Sequence, residues 1–214
     1  MTATTGSVAF DLHYVAAGDY YVGSQLGEYD YVADSNQTLT KSFWIAETEV
    51  TYELWYEVYQ WATDDTNGDG TPDEDGNGVR NADGGALYTF ANPGREGHDG
   101  IDGEAPTTAK LEPVTYINWR DAMLWCNALS EKQGLNCVYH TNSDFTSPIR
   151  SVTDSGTLNA TAGHEDNPYV DWSADGYRLP REVEWEIAAR GADPSESSSY
   201  GTEYAGSNTS YHVA

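Results

Sequence analysis

From Phe10 to Val15 apolar and polar residues alternate, the period-two pattern of a half-buried strand. Gly18-Asp19 then predicts a turn, and Tyr20-Tyr21-Val22-Gly23 reads as a second short strand. Thr40 to Ile45 is a third strand-like run. After Thr51 the period changes. Leu54, Trp55, Val58, Tyr59 and Trp61 recur at helical spacing, and Thr51 is placed to cap that helix. A second block opens at Pro113. Val114 to Ile117 is strand-like, and Asn118 with Asp121 has the form of a capping box. Ala122, Met123, Trp125, Cys126 and Leu129 give the following helix its apolar face, and Gly134 stops it. In a third block, Gly176 to Ala192, one helical face carries Val183, Ile187 and Arg190, another carries Trp185, Ala188 and Ala189, and Gly191 is the stop. Helix and strand alternate irregularly with long connections, which predicts an α+β fold rather than a doubly wound sheet.

Composition narrows the function. The 214 residues hold 10 Lys plus Arg against 35 Asp plus Glu, a formal net charge of −25. Such a surface repels a phosphate backbone and an anionic membrane, so nucleic acid is excluded as a partner. The 16 Tyr and 7 Trp supply enough large apolar surface for a core, which a disordered acidic tail would lack. No run reaches the ~20 apolar residues of a spanning helix, so no membrane insertion is expected. Residues 1 to 10 show no basic stretch followed by an apolar one, hence no visible signal peptide. Cys126 and Cys137 leave two readings open, a disulfide or two buried free thiols.

Two polar insertions, about 64–108 and 141–173, separate the blocks, and both are rich in Gly, Asp, Asn, Ser and Thr. The first contains Asp65-Thr66-Asn67-Gly68-Asp69-Gly70-Thr71-Pro72-Asp73-Glu74-Asp75. Oxygen-bearing side chains at alternate positions followed by Gly are the opening of a calcium loop, because a tight turn brings them to one centre. Asp65, Asn67, Asp69, Thr71, Asp73 and Asp75 are the candidate ligands of a structural calcium ion. The loop departs from an EF-hand: Gly76 stands where the bidentate Glu would be, so Asp73 or Asp75 must replace it.

Four stretches together resemble the formylglycine-generating enzyme and sulfatase-modifying-factor family. They are Val15-Ala16-Ala17-Gly18-Asp19-Tyr20-Tyr21-Val22-Gly23-Ser24, Phe43 to Thr51 with its Glu49-Val50-Thr51, and Pro113-Val114-Thr115-Tyr116-Ile117-Asn118-Trp119-Arg120-Asp121-Ala122. The fourth is Tyr177-Arg178-Leu179-Pro180-Arg181-Glu182-Val183-Glu184-Trp185-Glu186-Ile187-Ala188-Ala189-Arg190-Gly191. The resemblance implies a C-type-lectin-like fold: a small, twisted, mostly antiparallel sheet flanked by helices, formed here by a single domain over residues 1–214 with the two insertions. It also implies core positions for Trp119, Trp125 and Trp185. The family's Thr after Leu-Pro, a helix cap, is Arg181 here, at an expected cost of about 1 kcal/mol unless nearby Glu182, Glu184 or Glu186 compensates.

By the same resemblance the oxidases bind copper through a late cysteine pair and convert a peptidyl cysteine to formylglycine. No such pair follows Arg190-Gly191 here, and Cys126 falls at a structural position of the family. Copper is therefore expected only if a further C-terminal segment supplies cysteines. The domain is expected to be incomplete at its C-terminus, leaving a sheet edge open to self-association. Asn208 falls near the family's own calcium segment.

The reading that best fits is a non-catalytic extracellular or cell-surface binding or structural module. Its loops resemble paratope chemistry, rigid aromatics beside adaptable polar groups, and its expected partner is a protein or a glycan. The alternative is the N-terminal portion of a formylglycine-generating oxidase acting on sulfatase cysteines. His13, His98, His140, His164 and His212 form no cluster in sequence and read as loop or surface residues. Asn36, Asn159 and Asn208 open glycosylation sequons, and chance alone explains most of them. Glu182, Glu184 and Glu186 alternate along a helix and do not converge as an acid–base pair would.

Overall fold

The computed structural model describes residues 1–22, 35–64 and 87–191. In chain order the elements are β1 (Thr2–Thr5), β2 (Val8–Val15), β3 (Gly18–Val22), β4 (Ser35–Leu39), β5 (Phe43–Ala46) and α1 (Tyr52–Thr63). They continue with β6 (Arg95–Glu96), β7 (Val114–Thr115), α2 (Trp119–Lys132), β8 (Tyr139–His140), β9 (Tyr169–Val170) and α3 (Glu182–Ala189). Contacts gather these into two compact units. The larger holds Thr2–Phe10 and Thr48–Leu179; the smaller holds Met1, the chain from Asp11 to Glu47 and the chain from Pro180 onward.

The larger unit is organised by α1 and α2. Thr51 Oγ1 accepts from the Leu54 amide at 3.4 Å, the cap expected from sequence. Tyr52, Leu54, Trp55, Val58 and Ala62 form the buried stripe of α1. On α2 the Asn118–Asp121 capping box is complete: Asn118 Oδ1 accepts from the Asp121 amide at 3.0 Å, and Asp121 Oδ2 from the Asn118 amide at 3.1 Å. Its far end closes as a Schellman turn. Gly134 sits at φ +71°, the Leu135 amide donates to Ser130 O at 2.8 Å, and the Gly134 amide to Glu131 O at 3.0 Å.

Between the helices Trp55 and Trp125 stack, centroids 5.8 Å apart and planes 6° from parallel. Burying two indoles strands two N–H donors unless each finds an acceptor. Trp125 Nε1 donates to Trp55 O at 3.2 Å, and Trp55 Nε1 to Pro93 O at 2.7 Å. Gly94 makes room for the second contact. A Cβ there would lie 2.8 Å from both Trp55 Nε1 and Val114 Cγ2, and φ is +80°.

The smaller unit pairs β2 antiparallel with β5, from Leu12↔Ala46 to Val15↔Phe43, and β3 antiparallel with β4, from Gly18↔Leu39 to Val22↔Ser35. Val15, Tyr20, Val22 and Leu39 bury against Ile187, with Phe43, Ile45, Val183 and Ala188 packed around them. Arg181 stands at the N-cap of α3 without a capping oxygen. Glu184 compensates: one carboxylate oxygen accepts from the Arg181 amide at 2.8 Å, the other from its guanidinium at 3.0 Å.

Several local expectations shift. Gly18-Asp19 is the start of β3 rather than a turn, because the register puts Gly18 opposite Leu39. The strand expected over Thr40 to Ile45 begins only at Phe43, as β5, and β4 at Ser35–Leu39 precedes it without having been expected. The strand expected over Val114 to Ile117 stops at Thr115, since Tyr116 adopts φ +55°. Of the three expected core tryptophans only Trp125 is buried. Trp119 is 50% exposed and Trp185 61%. On α2 the inward positions after the cap go to Arg120 and Asp121; on α3 they go to Val183, Glu184 and Ile187.

Replacing Trp125 by Ala removes both the stack and a satisfied N–H, and an expected loss of about 4 kcal/mol follows. The urea unfolding midpoint measures it; a loss below about 1 kcal/mol would contradict this account of the core.

Candidate functional site

Both insertions converge on the first turn of α2. Asp121 is fully buried, and beyond its part in the capping box it takes three donors from the first insertion. Its Oδ1 accepts from the Ala91 amide at 2.9 Å and the Asn92 amide at 3.1 Å, its Oδ2 from Asn92 Nδ2 at 2.7 Å. Arg120 does the same for the second insertion from the donor side. Its Nε donates to Asp166 Oδ1 at 2.6 Å, and its Nη1 to the carbonyls of Thr153 and Ser155 at 2.7 and 2.9 Å. Glu165 closes the network, accepting from the Thr153 amide at 2.9 Å and its hydroxyl at 2.6 Å. Asn118 Nδ2 reaches Asp154 at 3.3 Å.

Further along α2, Asn127 uses its whole amide. Nδ2 donates to Tyr139 O and Ile149 O at 2.8 and 3.1 Å, while Oδ1 accepts from the Val138 and Tyr139 amides at 3.2 and 3.1 Å. Ser130 accepts from the Tyr177 amide at 2.8 Å. Residues 141–173 therefore carry little regular structure but are pinned side chain by side chain. None of Arg120, Asn127 or Ser130 stood out in the sequence; the only signal was their place on the buried side of a helix beside long polar loops.

Exposed aromatics surround this frame. Tyr116, 52% exposed, and Trp119 lie two residues before and one after the capping Asn118. The Arg95 guanidinium carbon sits 3.8 Å from the Tyr116 ring centroid, and Arg95 is itself held by Asp102, Nη2 to Oδ2 at 3.2 Å. That hydrogen bond holds the Asp102 carboxyl below its usual value. Tyr116 at φ +55° and Phe145 at φ +57° are the non-glycine residues with positive φ among the described residues, and both are exposed aromatics. For a bulky side chain that conformation costs roughly 1–2 kcal/mol.

The chain matches the family model of the sulfatase-modifying factor enzyme 1-like domain over residues 6–213. It belongs to that family. Over 122 residues it is 32% identical to chaperone protein LppX of Paenibacillus barcinonensis, covering 53% of this chain and 38% of that protein. Among solved structures it is similar to CarF, with TM-score 0.62 and 27% identity over 94% of this chain and 64% of that one. It is likewise similar to Treponema denticola variable protein 1, with TM-score 0.57 and 27% identity over 100% of this chain and 62% of that one. The chain thus spans less than two thirds of the length of each of these relatives. The α+β architecture of this sulfatase-modifying-factor domain agrees with the fold implied by its sequence.

The cysteines of this family member do not fit a copper pair. Cys126 and Cys137 are free and buried, one within α2 and the other five residues past its end. Burial pushes each thiol up to about 12, which disfavours the thiolate that a metal would require. Cys137 Sγ instead donates weakly to Asn127 O at 3.7 Å. The disulfide reading of the sequence is thereby resolved in favour of two free thiols. The calcium-like run Asp65, Asn67, Asp69, Thr71, Asp73 and Asp75 lies outside the described residues, as do Asn208, Gly23 and Ser24. His140 is not a surface histidine: it is buried in β8, its Nε2 2.9 Å from Cys137 O. Asn159 is exposed and its side chain accepts from the Thr161 amide at 3.0 Å.

Asp166, Asp171 and Asp175 all hold their carboxyls below the ordinary value of 3.8. The causes are the Arg120 hydrogen bond for Asp166, the Ser173 hydroxyl for Asp171 and the Asn136 amide for Asp175. A depressed native value means that the unfolded chain binds more protons below about pH 4. The stability these contacts supply is full above that pH and is lost as pH falls through the native values. The stability gap between wild type and Asp166→Asn is therefore expected to shrink on acidification from about pH 6 to about pH 2. A gap that urea titrations find independent of pH would refute the Arg120–Asp166 assignment.

Proposed function

We propose that this domain is a non-catalytic binding module of the extracellular space or cell surface, which docks a protein partner through aromatic side chains at the start of α2 and on the adjoining loops. The supporting observation is the strain at Tyr116 and Phe145. Glycine would relieve it at either position, yet each carries an exposed aromatic ring, and strain of this kind collects where side chains must be presented. Arg95 and Asp102 fix the Tyr116 ring before any partner arrives, so little rotamer freedom is lost on docking. The net charge of −25 favours a partner with a basic surface. The oxidase alternative would need its cysteine pair from outside these residues, since Cys126 and Cys137 are unsuited to the task.

Tyr116→Gly and Phe145→Gly test this reading. Each is expected to leave stability within about 1 kcal/mol of wild type, because relief of the left-handed backbone offsets the lost ring contact. Each is also expected to weaken partner binding by roughly 30-fold, the usual effect of removing an aromatic anchor. Capture from the native extracellular fraction, compared between wild type and the two variants, reads the second effect. Undiminished capture by both folded variants overturns the proposal.

Calcium has a supporting part in this reading. Asp65, Asn67, Asp69, Thr71, Asp73 and Asp75 would surround one ion, which would neutralise the crowded carboxylates of the first insertion. Addition of calcium to metal-free protein is expected to raise the melting temperature and to release or absorb heat with a Kd below about 1 mM. An unchanged melt together with a flat titration would remove calcium from the scheme.

A further inference from the structure

Within the larger unit, the exposed apolar face at the start of α2 extends beyond the aromatics, and both insertions contribute to it. In the first insertion, the chain after β6 lies beside β7: Arg95 is paired with Thr115, and the Thr115 hydroxyl donates to Gly97 O. The Arg95 guanidinium ties this loop to Tyr116, since it stacks on that ring while bonded to Asp102. Ile101, the neighbour of Asp102, is 70% exposed. In the second insertion, Asp154 accepts from Asn118 Nδ2 at 3.3 Å, and Ser155 O from Arg120 Nη1 at 2.9 Å. The Asn159 amide donates at 2.8 Å to Asp166, the partner of Arg120. Leu158, beside Asn159, is 83% exposed. Ile101, Tyr116, Trp119 and Leu158 are thus four large apolar residues, each half exposed or more, that these contacts gather around one helix end. Scattered singly, such residues are ordinary; gathered, they mark an interaction surface.

Charge decides what can cover this face. The cations near it are already engaged: Arg95 with Asp102, Arg120 with Asp166 and Lys110 with Glu53. Asp99, Glu104, Glu112 and Asp154, on the same loops and on the approach to β7, are exposed, and none of them forms a salt bridge with a described residue. A second copy of the chain would bring the same carboxylates and a further net charge of −25, so self-association here is opposed. A cationic partner gains twice. Its apolar residues cover the four side chains, and its basic residues meet carboxylates that have no cation of their own.

We propose that this face receives a cationic amphipathic segment of a partner protein, with apolar residues against Ile101, Tyr116, Trp119 and Leu158 and Lys or Arg over the flanking carboxylates. The inference rests on the docking reading above and supplies the chemistry of the partner.

The test uses the full chain and a synthetic amphipathic helix of Leu and Lys. Its controls are a Leu–Glu helix of the same pattern and a Lys–Ser peptide with the charge but no apolar side. Calorimetry gives the Kd, and NMR follows the Ile101 and Leu158 methyl signals. The Leu–Lys helix is expected to shift both methyls and to bind roughly tenfold more weakly when salt rises from about 50 to about 500 mM. Each control is expected to bind at least roughly tenfold more weakly than the Leu–Lys helix. Ile101→Ser and Leu158→Ser, at exposed positions, are expected to leave the melting temperature unchanged and each to weaken binding roughly fivefold. Equal binding of either control, unmoved methyl signals, or an affinity indifferent to both substitutions would overturn the inference. Partner capture that Tyr116→Gly and Phe145→Gly abolish, beside a Leu–Lys helix that does not bind, would sink the cationic segment and leave the docking reading standing.

Discussion

Arg120 and Asp121 are neighbours in the first turn of α2, and between them they hold both of the long polar insertions. Among the described residues, 87–108 and 141–173 have few ladder hydrogen bonds of their own, so their backbone polar groups need partners from elsewhere. A buried carboxylate takes amides from one loop, and a buried guanidinium gives its donors to carbonyls and a carboxylate of the other. Two opposite charges inside a protein are tolerated only when hydrogen bonds satisfy them, and neither Arg120 nor Asp121 has a buried polar atom left without a partner. The helix can keep this pair at its start because the Trp55–Trp125 stack anchors its middle against α1.

That arrangement separates a packed core from exposed loops. The core side of α2 is filled by Met123, Leu124, Trp125, Ala128 and Leu129, all buried. The exposed residues at its start and on the pinned loops contribute little to that packing. Tyr116 and Phe145 each hold a backbone conformation that their own side chains disfavour. Binding surfaces in general are built this way, with variable groups on loops that a rigid frame positions.

The two cysteines belong to the frame. Cys126 faces the buried side of α2, and Cys137 packs beside Tyr88, whose hydroxyl is 2.5 Å from Glu131 and 4.0 Å from the sulfur. Burial raises the Tyr88 hydroxyl and the Cys137 thiol together, so both stay neutral where an ionised form would be left without water. Chemistry at sulfur is disfavoured by the same packing that makes these residues useful to the fold.

Local signals in the sequence were enough for the elements whose cause is local. The Thr51 cap, the Asn118–Asp121 capping box and the Gly134 stop depend on residues within a turn or two of one another and appear as read; the helical stripes of α1 and α2 appear in part, with Tyr59, Trp61 and Ala122 only half-buried and Tyr52, Ala62, Leu124 and Ala128 buried instead. Membership of the sulfatase-modifying-factor family was legible for a related reason: each of its motifs is a short continuous stretch, two of them running into the caps of α1 and α2 and the others covering β3 and α3. The existence of β4, the late start of β5 and the early end of β7 were not legible, because strand limits are set by partners distant in the chain. Nor were the outward faces of Trp119 and Trp185, since apolar character alone does not say which side of a helix the core will take. The pinning roles of Arg120, Asn127 and Ser130 lay further still from the sequence. Their hydrogen-bond partners stand up to 47 residues away, and only the tertiary structure brings those backbone groups within reach.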